Sequence, residues 1–170
     1  MNDKIEPQDE AEDAPSSEVA PPSIPDDSPG WALAERAVWH LLEKNAQDAV
    51  VLDLRGHSDV CDFFVLVSGE SDKQVTALAR YLNNCLVGVG QKAKSLEGMN
   101  DGNWALLDYF DVVVHVFHTR RREYFQLERL WSEGTRLDLD ADWFAAAEVA
   151  NRHPDLNFAT AAGSGGTERG

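Results

Sequence analysis

The stretch W-A-L-L-D-Y-F-D-V-V-V-H-V-F, Trp104 to Phe117, is the most apolar run in the chain, and its reading decides the fold. A membrane span needs about 20 apolar residues, and this run is shorter and polar at its centre. It is rich in Val, Leu and aromatic residues, which suit a pleated sheet. Asp108 to Asp111 interrupts it with turn-tolerant residues. The pattern predicts two antiparallel strands, 104–109 and 112–118, joined by a tight turn at Tyr109, Phe110 and Asp111. Alternation then places Val112, Val114 and Val116 on one face and Val113, His115 and Phe117 on the other. Both faces carry apolar groups, so both require a cover.

Working outward, Ser28-Pro29 is a helix start, with a capping hydroxyl and a proline at the first helical position. Leu33, Ala37, Val38, Leu41 and Leu42 recur at helical spacing and predict an amphipathic helix over 29–45. Val50–Leu54 and Asp62–Ser68 read as strands, the second closed by Gly69. Ser71-Asp72-Lys73-Gln74 has the form of a capping box. Val75, Leu78, Ala79, Leu82, Leu86 and Val89 make one stripe along a helix over 71–89, ended by Gly88 and Gly90. Residues 92–97 form a further short strand. A third helix, 120–133, carries Tyr124, Leu127 and Trp131 on one side.

These elements predict an α/β arrangement with five short strands and three helices. Three helices are too few to cover both sheet faces. A bare apolar face of more than a few hundred Å² marks a partner site. The competing expectations are a dimer interface or a cover supplied by the C-terminal segment 141–152.

The chain has 170 residues and a net charge of −15. Residues 1–30 hold nine acids and one base, a net of −8; the rest hold 21 acids and 14 bases, a net of −7. That balance argues against a bare nucleic-acid binder, because phosphate contacts use Lys and Arg. Six of the seven prolines (Pro7, Pro15, Pro21, Pro22, Pro25 and Pro29) fall within the first 30 residues, among acids and serines. Such a segment buries too little apolar surface to offset its ordering entropy. The expected organisation is a disordered acidic tail over 1–27, a folded domain over 28–136, a C-terminal helical extension over 137–158 and a flexible tail over 159–170. The acidic N-terminus lacks the apolar core of a secretory signal. Cys61 and Cys85 form no C-x-x-C pair and read as reduced thiols of a cytosolic protein, Cys85 as a small packing residue on a helix.

The chemistry-bearing motifs are few. There is no G-x-x-x-x-G-K-[ST] loop, no G-x-G-x-x-G and no G-x-S-x-G elbow. His115 and His118 lie three apart on a strand, hence on opposite faces, which does not suit shared metal ligation. His115 reads as a core or interface imidazole. Asp53, Asp62, Asp108 and Asp111 are the acids set close to strands; Asp108 and Asp111 flank a turn, where the alternatives are convergence on a two-metal site and, as for most turn acids, service to the turn's geometry. Arg120-Arg121-Arg122 opens a helix, where the macrodipole disfavours cations. A solvated face is one explanation, and an acidic partner or RNA backbone is the other.

S-G-E-S-D-K-Q (68–74), E-G-M-N-D-G-N-W-A-L-L-D-Y-F-D-V-V-V-H-V-F (97–117) and R-R-E-Y-F-Q-L-E-R-L-W (121–131), in this order, resemble the ribosomal silencing factor family, also called Iojap-like. The resemblance spans about 31–136. Gly69, Ser71 and Gln74 match the family's T-G-x-S-x-R-Q segment, with Ser68 for threonine and Lys73 for arginine. Glu97 and Gly98 match its E-G pair. Trp104, Leu107, Asp108, Asp111, Val112, Val114, His115 and Val116 match its hairpin. Phe110 stands where the family often has glycine.

The resemblance implies a mixed five-stranded sheet with helices mainly on one face, nucleotidyltransferase-like but lacking catalytic residues. It implies no enzyme activity and no cofactor. It implies a cytoplasmic translational repressor that binds the large ribosomal subunit through ribosomal protein number fourteen and blocks joining of the small subunit in nutrient limitation. Little direct nucleic-acid contact, no membrane contact and a possible homodimer when free complete the expectation. The partner surface is expected at Trp104, Leu107, Asp108, Tyr109, Asp111 and His115, with Trp104 as its anchor. A nucleotide-using enzyme on the same fold and a dimeric scaffold without a ribosomal role are the alternatives.

Overall fold

Ser28 caps the first helix: its hydroxyl accepts the Trp31 amide at 3.3 Å, and Pro29 follows at the first helical position. The computed structural model describes residues 28–145, so the expected acidic tail and the flexible C-terminal tail lie outside the described residues. The elements run α1 (Pro29–Glu43), β1 (Gln47–Asp53), β2 (Phe63–Gly69), α2 (Asp72–Gly88), β3 (Ser95–Glu97), β4 (Trp104–Asp108), β5 (Val112–His118), α3 (Thr119–Phe125), α4 (Leu127–Leu130), β6 (Thr135–Asp138) and α5 (Ala141–Ala145).

The strands form one mixed sheet in the order β3-β4-β5-β2-β1-β6. Six strands stand where five are expected. The addition is β6, which pairs antiparallel with β1 and sets Leu137 opposite Val51. Its sequence, T-R-L-D, has one apolar residue and is exposed except at Leu137, as befits an edge strand. The sheet therefore continues across residue 136. β2 and β5 pair in parallel, Phe63 with Val112 through Gly69 with His118, and the other pairings are antiparallel.

The capping box at α2 departs in one detail from its simplest form. Ser71 Oγ accepts the Gln74 amide at 3.1 Å, but Gln74 Oε1 accepts from the Glu70 amide at 2.7 Å, one residue before the cap. The Gln74 side-chain amide also donates to the Asn45 carbonyl, which ties the start of α2 to the loop after α1.

One face of the sheet packs under α1 and α2. Its core holds Val51, Phe63, Val65, Val67, Ala105, Leu107, Val112, Val114, Val116 and Leu137. The segment after β6 joins this side: Phe144 lies 5.5 Å from Trp39, and the Trp143 indole N–H donates to buried Glu35 at 3.0 Å.

The other face holds Val50, Leu52, Leu54, Cys61, Phe64, Leu66, Val113 and Phe117, all buried. The expectation of a bare face is corrected here. The helix expected over 120–133 breaks at Gln126, whose φ of 50° is left-handed, and splits into α3 and α4. Past the break, Leu127 and Trp131 pack on this face, Trp131 edge-on to Phe64 at 5.4 Å; Trp104 and Leu106 pack on the same cluster. The described part of 141–152, through residue 145, covers the opposite side.

Candidate docking site

The hairpin turn between β4 and β5 is closed by the Tyr109 amide, which donates to the Val112 carbonyl at 2.8 Å. Phe110 takes φ +73°, the left-handed conformation that favours glycine. Asp108 Oδ1 accepts the Phe110 amide at 2.8 Å and holds the turn in that shape. Phe110 is 61% exposed.

Trp104 starts β4 and is half-buried on the second face. Its ring lies 4.9 Å from Phe117, nearly parallel, and 4.8 Å from Phe125 of α3. Its Nε1–H donates to Nδ1 of His115 at 3.1 Å. A neutral imidazole that accepts at Nδ1 carries its proton on Nε2. That Nε2 is buried and has no hydrogen-bond partner among the described residues; the Phe64 ring packs edge-on to the imidazole at 4.7 Å. Burial pushes the His115 pKa down from 6.5 to about 4, so the ring is a neutral acceptor at neutral pH.

The residues expected to form one partner surface divide between the two faces. Trp104, Asp108 and His115 share the second face, with His115 beneath rather than at the surface. Leu107 and Tyr109 point the other way, into the core under α2. Burial pushes the Tyr109 hydroxyl up to about 12, and it reaches Asn83 of α2 at 3.5 Å. Asp111 is exposed, while its carbonyl accepts the amides of Asp62 and Phe63 and anchors the turn to the start of β2. Sequence reasoning missed Leu106, Tyr124 and Phe125. Leu106 has the parity of Trp104, two residues along the same strand. Tyr124 is 75% exposed and lies 5.1 Å from Phe125, so the surface runs Trp104, Phe125, Tyr124.

The three arginines also separate. Arg122 is buried: it donates to the Ser68 hydroxyl and the Asp48 carbonyl and pairs with Glu128 at 2.8 Å. Asp48 sits at φ 51° in the irregular first part of β1, where the register with β2 shifts. Arg120 and Arg121 remain exposed. Cys61 is a buried thiol whose pKa is raised to about 11 by burial, then by Asp108 and Asp62 nearby.

Among the described residues, no group of three His, Cys, Asp or Glu side chains converges as metal ligands would. Also among them, no helix is long and apolar enough to cross a membrane.

Comparison with known proteins adds to this geometry. The model of the family described as "Ribosomal silencing factor during starvation" matches residues 25–164. The ribosomal silencing factor RsfS of Bacillus subtilis is 44% identical over 98 residues, 58% of this chain and 83% of that one. A crystal structure from Bacillus halodurans, 40% identical, shares the fold with a TM-score of 0.56 over 63% of this chain and 97% of its own. A mouse protein named mitochondrial assembly of ribosomal large subunit protein 1 is 27% identical over 95 residues, 54% of this chain and 42% of its own.

Proposed function

The chain belongs to the ribosomal silencing factor family, and on that premise we propose that it binds the large ribosomal subunit and keeps the small subunit from joining, damping translation in nutrient limitation. Its site is the aromatic surface of the β4–β5 hairpin and α3, with ribosomal protein number fourteen as the contact. The observation that carries this reading is the setting of Trp104. A large aromatic ring is held half out of the sheet by stacked neighbours and a hydrogen bond to a buried histidine. Rigid, partly exposed tryptophans of this kind dominate binding energy at interfaces. The mouse relative, named for the large subunit, favours the same partner. The acidic chain suits a basic ribosomal protein, and exposed Asp111 beside the turn adds local complementarity.

Light scattering of subunit reassociation tests the proposal. Near-stoichiometric protein, added to large subunits first, is expected to suppress the rise in scattering. Normal reassociation at saturating protein would overturn it. Sedimentation with separated subunits should carry the protein with the large one alone.

A further inference from the structure

Arg120, Arg121 and Tyr124 share one side of α3, since residues three and four apart are neighbours on a helix. All three are exposed, and neither guanidinium makes an ion pair with another described residue. With Asp72, Asn103 and His118 they line an open cavity of about 380 Å³. It lies where the parallel strands end, at the Gly69–His118 pair. Among the described residues Asp72 is the one carboxylate lining it, and it faces His118, 3.9 Å from Nε2. His118 Nδ1 in turn accepts the Arg120 amide at 3.3 Å and caps the helix.

Two cations in the first turn oppose the helix dipole, so they do not serve the stability of α3. Buried Arg122 next door shows what a structural arginine in this helix does: it places all three guanidinium nitrogens on Ser68, Asp48 and Glu128. Among the described residues, the Arg120 and Arg121 side chains have no hydrogen-bond or ion-pair partner. The patch is continuous with the docking surface, because Tyr124 contacts Phe125 and Phe125 contacts Trp104.

We propose that Arg120, Arg121 and Tyr124 grip ribosomal RNA backbone of the large subunit, beside the protein that the Trp104 surface meets. The inference rests on the docking reading above. The guanidinium forks bind phosphate oxygens, and the tyrosine ring offers a stacking face to a base or ribose. Ribosomal proteins are mostly basic, so the anions a ribosome presents to two free arginines are RNA phosphates. A chain of net charge −15 is repelled by RNA elsewhere, so this contact fixes orientation as well as affinity.

The test is co-sedimentation of the full chain with purified large subunits over a series of potassium chloride concentrations. Wild type is compared with the Arg120→Gln/Arg121→Gln double variant and with Arg120→Lys/Arg121→Lys. The double glutamine variant is expected to bind roughly tenfold more weakly at low salt. Its slope of log K against log salt should be shallower by about 1.5, two phosphates at about 0.7–0.9 each. The lysine variant should keep the slope. Melting curves should show no loss of stability, because removing these cations relieves the helix dipole. An unchanged affinity and slope would overturn the proposal while leaving the docking reading intact. Loss of affinity for the isolated ribosomal protein would reassign the arginines to a protein contact. An unchanged slope with loss of calorimetric ATP binding would reassign them to free nucleotides. Both reassignments overturn the RNA reading. Failure of wild type to bind the subunit at all would overturn the docking reading, and this one with it.

Discussion

The indole N–H of Trp104 points at Nδ1 of His115, 3.1 Å away, so a residue at the surface takes its orientation from one inside the sheet. The bond needs an unprotonated Nδ1. It therefore links the geometry of the docking surface to the charge state of a buried imidazole.

Two variants of Trp104 separate anchoring from folding. Trp104→Phe keeps a ring against Phe117 and Phe125 but leaves His115 Nδ1 buried without a donor, at about 1–2 kcal/mol of stability. Trp104→Ala should destabilise by about 2 kcal/mol, less than the 3–5 typical of a fully buried tryptophan. Its large-subunit binding should fall roughly thirtyfold, equivalent to about 2 kcal/mol. Urea melts and sedimentation check both. A binding loss no larger than the loss of folded fraction would remove Trp104 from the interface.

Acid should loosen the same pair. His115 has a folded pKa of about 4 against 6.5 when unfolded, so the unfolded chain binds the extra proton first. Its contribution to stability is complete above pH 6.5 and is lost as pH falls towards 4, a difference on the order of 3 kcal/mol. Chemical melts of wild type and His115→Gln at pH 7 and pH 4.5 give the difference directly. The variant should lack this part of the acid destabilisation, so the gap between the two proteins should narrow at the lower pH.

Phe110→Gly should stabilise the hairpin. An L-residue in the left-handed region is strained by roughly 1–2 kcal/mol, and glycine relieves it. Against this stand the greater freedom of glycine in the unfolded chain and the loss of the Lys94 ammonium contact with the ring at 5.6 Å. A net gain of about 1 kcal/mol or less, seen as a higher melting temperature, is expected. A lower melting temperature would mean that the exposed ring contributes more than the strain.

Arg122→Met should cost about 3 kcal/mol, because it leaves Glu128 without its partner and the Ser68 hydroxyl and Asp48 carbonyl without their donor. Arg122→Lys should rescue little, since a single ammonium cannot reproduce the planar fork. Denaturant titration of both variants checks this. Near-native stability of the lysine variant would show that charge alone suffices there.

The hairpin was legible in the sequence because alternation fixes which residues share a face. Val112, Val114 and Val116 fall together, as do Val113, His115 and Phe117. Alternation leaves open which face the helices cover. Leu107 and Tyr109 have the parity opposite to Trp104, and α2 buries them. Gln126 carries no glycine-like signal, so the break between α3 and α4, and with it the cover of the second face, was not legible. β6 has one inward leucine in four residues, too little alternation to mark a strand in the sequence.

Pairing β2 in parallel with β5 also sets the order in which the sheet can assemble. The hairpins β1–β2 and β4–β5 close locally, but Phe63 cannot meet Val112 until α2, β3 and β4 have been made between them. Pairings this distant along the chain form slowly. Until β5 arrives, β2, whose seven residues all end up buried, presents an open apolar edge. A chain still being synthesised carries that edge through the whole of residues 70–111, so its exposure to misassembly ends only when His118 has been added and the central pair closes.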